Sequence, residues 1–280
     1  MFGTKMEYNN YPKIKNALLL MVLFKGIILA SVIVIILSSK VFTIDSNSPI
    51  SDMLKMAATI LGYVVVFKIG LTKSKRSFAK TFKFNKVPVL TWLIFSVTMI
   101  GFIILLPEMN NLVRLVLPIP QFFIDLLKRL TVSKNILLSI FIVTIIPPVF
   151  EEMFFRGLIV DGFRRNYSLS KTIFFSSLLF GLTHLNPWQF VSAFFLGLFF
   201  SWICIKTNSI LLPILGHFLS NLSAIIIMRY AGTLLFQTRS PLGFQPLWLD
   251  ACGAFLFGSG LILLDLIFKS NSHNNMKMAE

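Results

Sequence analysis

Long apolar runs recur along this chain with little polar sequence between them, and that recurrence limits what it can fold into. Eight can be drawn, at about 17–37, 54–71, 88–106, 137–160, 172–186, 189–205, 209–228 and 247–268. Most approach the ~20 residues that cross a hydrocarbon core at a helical rise of ~1.5 Å per residue. With no water in that core, every backbone N–H and C=O must be satisfied internally, so runs of this length read as helices. Composition agrees: 56% of residues are hydrophobic, 13% are charged and mean hydropathy is +0.81. The expected fold is an all-α integral membrane protein of about eight transmembrane helices with an intramembrane polar cavity. The first run is too long for the apolar part of a cleavable signal and lacks a small-residue cleavage site after it, so it reads as the first span.

The net charge of +15 does not point to nucleic acid, because the basic residues cluster in short loops beside apolar runs. Lys73, Lys75, Arg76, Lys80, Lys83 and Lys86 crowd the loop between the second and third spans. Such a loop is expected on the cytoplasmic side, which places both termini inside. Arg164, Arg165 and Lys171 then fall on the same side and Asn186-Pro187-Trp188 on the other. The expected location is a multi-pass position in a bacterial cell membrane, with the lipid bilayer as one partner and a peptide or protein substrate as another. The segment from Glu108 to Lys134 mixes charges with apolar residues and reads as an amphipathic piece in the interface. Lys25 and Lys68 lie within spans and read as snorkelling side chains. Asp250 and Asp265 lie near the ends of the last span, in structural or interfacial roles. Cys204 and Cys252 show no disulfide or metal spacing, and the 30 Phe residues read as lipid-facing and packing bulk. The chain divides into an N-terminal part (1–134), a helical core (135–230) and a last helix with its tail (231–280).

Glu151 and Glu152 stand side by side within the fourth run. A carboxylate at a bilayer centre costs about 2.5–3.5 kcal/mol on insertion scales, so intramembrane acids point to function. Two of three histidines, His184 and His217, fall inside other apolar runs, while His273 lies in the polar tail. Counting from Arg164, Lys171 and Lys206, Glu151 and His184 lie about 20 Å deep, and His217 and Asn221 about 16 and 22 Å. Four polar groups on three helices thus reach one depth. Glu152 precedes Arg156 by four residues, the favourable order for an ion pair on one helix face. Glu151 is turned about 100° away and is left free to act as a base. His217 and Asn221, also four apart, share a face and could point at one oxygen, as an oxyanion hole does. Pro147 and Pro148 remove helix donors just before the acids and predict a kink. Taken singly, each group also has a plain reading as interhelical hydrogen bonding. Together they are the parts that amide hydrolysis by activated water requires.

The motifs Glu151-Glu152-Met-Phe-Phe-Arg156, Phe180-Gly-Leu-Thr-His184 and His217-Phe-Leu-Ser-Asn221 resemble those of the CPBP family of intramembrane proteases, the CAAX-protease and bacteriocin-processing group also called Abi. The resemblance covers approximately residues 135 to 230. It implies an endopeptidase that cuts a membrane-associated peptide, with a CAAX-like or leader-peptide substrate. Carried onto this chain, it makes Glu151 the activator of water with His184 assisting, and His217 and Asn221 the oxyanion donors. Glu152 and Arg156 become supporting structure, and Phe180 packs against the turn that carries His184.

Metal use stays open at this point. Glu151, His184 and His217 could form a zinc site with an open position for water, which would make a metalloprotease. The alternative is metal-free, glutamate-activated water, since the chain lacks the His-Glu-x-x-His pattern and Asn221 suits an oxyanion better than zinc. Two other functions fit the same residues: a non-enzymatic immunity or regulatory membrane partner, as in bacteriocin or sensor-kinase systems, and a small transporter with a carboxylate relay. The transporter reading usually brings an internal repeat, and none is evident.

Overall fold

A computed structural model describes residues 10–42, 48–125, 140–227, 229 and 244–277. Helix α1 spans Ile14–Phe42 and α2 Pro49–Ser74. Ser48 caps α2 by accepting from the Ser51 N–H, and Pro49 occupies the first turn, where its missing N–H costs nothing. Lys75 ends α2 in the left-handed region, with φ of 54°. A single turn, α3 (Phe78–Thr81), precedes α4 (Val89–Val116). Helix α5 is a helical run over 141–164, built from a π-helical turn Phe141–Ile145, the α-helix Ile146–Glu152, a π-helical stretch Met153–Ile159 and the α-helix Val160–Arg164. Then come α6 (Leu169–Leu182), α7 (Pro187–Thr207), α8 (Leu211–Ile226) and α9 (Leu247–Lys277). Among the described residues there is no strand. Segments of α1, α2, α4, α7 and α9 are long and apolar enough to cross a membrane, while α6 and α8 are shorter apolar helices.

Each of the eight expected spans falls on one of these helices. One expectation is corrected: Glu108 to Val116 continues α4 past Pro107 and is not a separate interfacial piece. Polar partners hold that end in place. The Gln245 backbone N–H donates to Glu108 Oε1 and its side-chain amide to the Ile104 carbonyl, each at 2.7 Å. Residues 126–134 of the same segment lie outside the described residues.

The loops sort onto two faces. At the basic face Arg76, Lys83 and Arg165 all reach Asp161, and Arg165 also donates to the Tyr11 carbonyl at 2.6 Å. Ser209 Oγ donates to the Asn85 carbonyl and the Ile210 N–H to that of Lys83. At the opposite face Trp188 Nε1 donates to the Leu117 carbonyl at 2.7 Å. The helices α1, α2, α4, α5, α6, α7, α8 and α9 therefore alternate in direction.

Two buried clusters fill the interior. One gathers Phe24, Tyr63 and Phe67 from α1 and α2 around Phe154, Phe155 and Phe163 of α5 and Phe180 of α6. The other joins Phe95, Met99 and Phe102 of α4 to Phe199 and Phe200 of α7 and Leu264 of α9. Much of the phenylalanine is thus internal packing. Small residues let helix backbones approach: a Cβ on Gly101 would lie 2.5 Å from the Phe257 nitrogen and 2.7 Å from the Gly253 oxygen.

Candidate active site

The α-helical segment Ile146–Glu152 of α5 carries both acids, and the π-helical stretch after it carries Arg156. Glu152 and Arg156 are completely buried and pair at 3.1 Å between Oε1 and Nη1. His217 of α8 brings Nδ1 to the same Glu152 Oε1 at 2.9 Å. Arg156 continues through Nη2 to the Gly197 carbonyl of α7 at 3.3 Å. One carboxylate therefore ties α5 to α8, and the guanidinium on it reaches α7. The Arg156 guanidinium also lies 4.4 Å from the Phe180 ring centroid and 5.5 Å from that of Phe200. The expected pair is present, and its connection to His217 is an addition that spacing did not suggest.

Glu151 points elsewhere. It is half-buried, and its Oε2 is enclosed without a hydrogen-bond partner among the described residues. Its charge is felt at His184, at Lys25 of α1 and at Tyr63 of α2. Aromatic contacts explain why α2 lies there: Tyr63 stacks 5.4 Å from Phe150, the residue before Glu151. Lys25 is half-buried, beside Phe24. Neither Lys25 nor Tyr63 belongs to a motif, so nothing in the sequence tied them to Glu151.

His184 was expected inside a helix and instead sits just beyond the end of α6. Leu185 takes a left-handed φ of 56°, a conformation costly for a residue with a side chain, and Pro187 opens the next helix. Asn186 fixes the turn, donating to the His184 carbonyl at 2.9 Å and accepting from the Gln189 N–H at 2.8 Å. His184 Nδ1 lies 3.1 Å from the Phe180 carbonyl. The Phe180 ring meets both imidazoles edge-on, at 5.4 Å from His184 and 5.6 Å from His217. Phe180 thus does more than pack against its own turn, because it separates and orients the two histidines.

The partners dictate tautomers. A backbone carbonyl and an Arg-paired carboxylate only accept, so both histidines carry a proton on Nδ1 and turn Nε2 elsewhere. That is also how a metal-bound histidine is oriented by an outer partner. The donor types therefore suit zinc, but the arrangement does not: among the described residues no three His, Cys, Asp or Glu groups converge on one point.

Asn221 Nδ2 donates to the Val143 carbonyl of α5 at 2.9 Å and His217 Nδ1 faces Glu152, which leaves His217 Nε2 and a second Asn221 N–H for other partners. The cleft found at the basic face, lined by Lys83, Arg156, Asp161, Arg164 and Cys204, does not include Glu151, His184, His217 or Asn221.

Residues 133–223 match the family described as "Type II CAAX prenyl endopeptidase Rce1-like". The chain is also similar to "Membrane-embedded CAAX protease MroQ" of Staphylococcus aureus, with 32% identity over 103 residues. That alignment takes in 34% of this chain and 40% of the relative, so the chain spans well under two thirds of the relative's length. No solved structure matches significantly. The Rce1-like segment contains all three motifs and ends just past Asn221, so the likeness rests on α5 to α8.

Proposed function

We propose that this chain is an intramembrane endopeptidase that hydrolyses a peptide bond in a membrane-associated peptide with a CAAX-like C-terminus or a leader segment. The observation that carries this reading is the difference between adjacent acids: Glu152 is held through Oε1 by both Arg156 and His217, while among the described residues no cation pairs with Glu151 and its enclosed Oε2 has no hydrogen-bond partner. A free carboxylate in a water-poor site is a general base. Water gives a proton to Glu151 and its oxygen attacks the scissile carbonyl carbon, forming a tetrahedral oxyanion. His184 assists through Nε2. The oxyanion forms beside His217, which Glu152 orients through Nδ1. The C–N bond then breaks, and the amine leaves with the proton that Glu151 or His184 returns. Because the candidate ligands do not converge, no step is assigned to a metal.

The test is peptide release from a panel of membrane-anchored CAAX-like and leader-type peptides by membranes bearing wild type, Glu151→Ala, His184→Ala or His217→Ala at matched folded amounts, with and without a chelator. Loss of release in all three variants supports the reading. Wild-type behaviour of the variants would return the polar residues to interhelical structure and favour a binding partner. Loss of wild-type activity on chelation, restored by zinc, would overturn the metal-free part.

A further inference from the structure

Three helical donors could serve the Val143 carbonyl, and none does. In an α-helix it would accept from residue 147, and in a π-helix from residue 148; both are prolines and have no N–H. The remaining local donor, the Ile146 N–H, is used by the Phe141 carbonyl, the i→i+5 bond of the π-helical turn. The double proline therefore leaves one carbonyl with no donor along its own helix, on a half-buried stretch of α5. A buried acceptor left in that state is destabilising. Asn221 of α8 supplies the missing donor at 2.9 Å.

We infer that Asn221 is a positioning residue: its side-chain amide satisfies the Val143 carbonyl orphaned by Pro147 and Pro148, and so locks the break in α5 onto the helix that carries His217. The inference deepens the endopeptidase reading and rests on it for its catalytic consequence. Two rungs then join α8 to α5, His217 to Glu152 and Asn221 to Val143, on either side of Glu151. With only the first rung, α5 would pivot about Glu152, and the free carboxylate would lose its fixed place relative to the imidazoles. An amide suits this task because it donates without carrying a charge into the bundle.

The prolines make the inference testable, because replacing them restores the missing N–H groups. Thermal unfolding of the detergent-solubilised full chain is measured for wild type, Asn221→Ala, Pro147→Ala/Pro148→Ala and the triple variant. Removing the amide in the native background should lower Tm by at least about 2–4 °C. In the Pro147→Ala/Pro148→Ala background the same removal should cost less than about half of that, because Val143 then has a helical donor. Equal losses in both backgrounds would overturn the inference. Cleavage supplies a second readout. Asn221→Ala should lower kcat with KM little changed, and the proline replacements should restore part of the loss wherever they retain activity. The unfolding cycle decides the pairing even for variants that no longer cleave. Glu151→Gln, run alongside, keeps the two claims apart. Cleavage retained by Glu151→Gln removes the endopeptidase mechanism and leaves the coupling of Asn221 to the prolines standing.

Discussion

Adjacent acids here have different partners, and substitution should separate them. Glu151 has a free buried oxygen, so Glu151→Gln should abolish peptide release while leaving the unfolding temperature close to wild type. Glu152 holds Arg156 and His217 on one oxygen. Glu152→Ala leaves the guanidinium buried without its counter-charge, a change that typically costs about 3–5 kcal/mol. Thermal unfolding in detergent should therefore fall well below that of Glu151→Gln, and a Glu152→Ala protein with unchanged stability would contradict the buried hub. The Glu152–Arg156 pair was legible because four residues on a helix define one face. The link from Glu152 to His217 was not, since it joins groups 65 positions apart and depends on where α8 packs.

At the scale of the helix, apolar run length marked eight of the helices, five of them long and apolar enough to cross a membrane, but their ends were set by chemistry that run length does not carry. Asn186 and Pro187 end one turn and start α7, which moved His184 out of its expected helix. Gln245, contributed from just before α9, satisfies polar atoms of α4 and extends that helix beyond the expected boundary. The loss of backbone donors at Pro147 and Pro148 was readable from the sequence, whereas the contact of Asn221 with the Val143 carbonyl depends on the tertiary fold. Packing adds a prediction that motifs do not. Gly101 faces backbone atoms of α9 at distances no real Cβ tolerates, so Gly101→Ala must push the helices apart. Overpacking of this kind costs about 1–3 kcal/mol, to be read as a lower unfolding temperature. Because α9 contributes no group to the Glu151 site, release measured well below the transition should stay within about twofold of wild type.

Across the whole molecule, sidedness follows from electrostatics that the fold gathers into one place. Arg76 approaches Asp161 at 3.1 Å and Lys83 at 3.4 Å, and Arg165 pairs with it too. Three separate basic positions thus share one acid, which itself is mostly buried. Tyr11 lies at this same face through Arg165, and Leu117 and Trp188 mark the other. The excess of cations expected on the cytoplasmic side is therefore a property of the assembled face as well as of single loops. With Cys204 and Cys252 replaced, single cysteines at Lys80 and Lys171, both exposed on the basic face, and at Gln121, exposed near the other, give a direct test in intact cells. An impermeant maleimide should label Lys80→Cys and Lys171→Cys only after permeabilisation, and Gln121→Cys at once. The reverse pattern would invert the protein in the bilayer. Labelling of Lys80→Cys and Lys171→Cys from different sides would break the alternation of helices that brings α5, α6 and α8 together. The same experiment on Asp161→Asn asks what holds the face. With the shared acid neutral, three cations repel one another, and the loop at 75–88 should become more readily cut by protease added to permeabilised cells than it is in wild type.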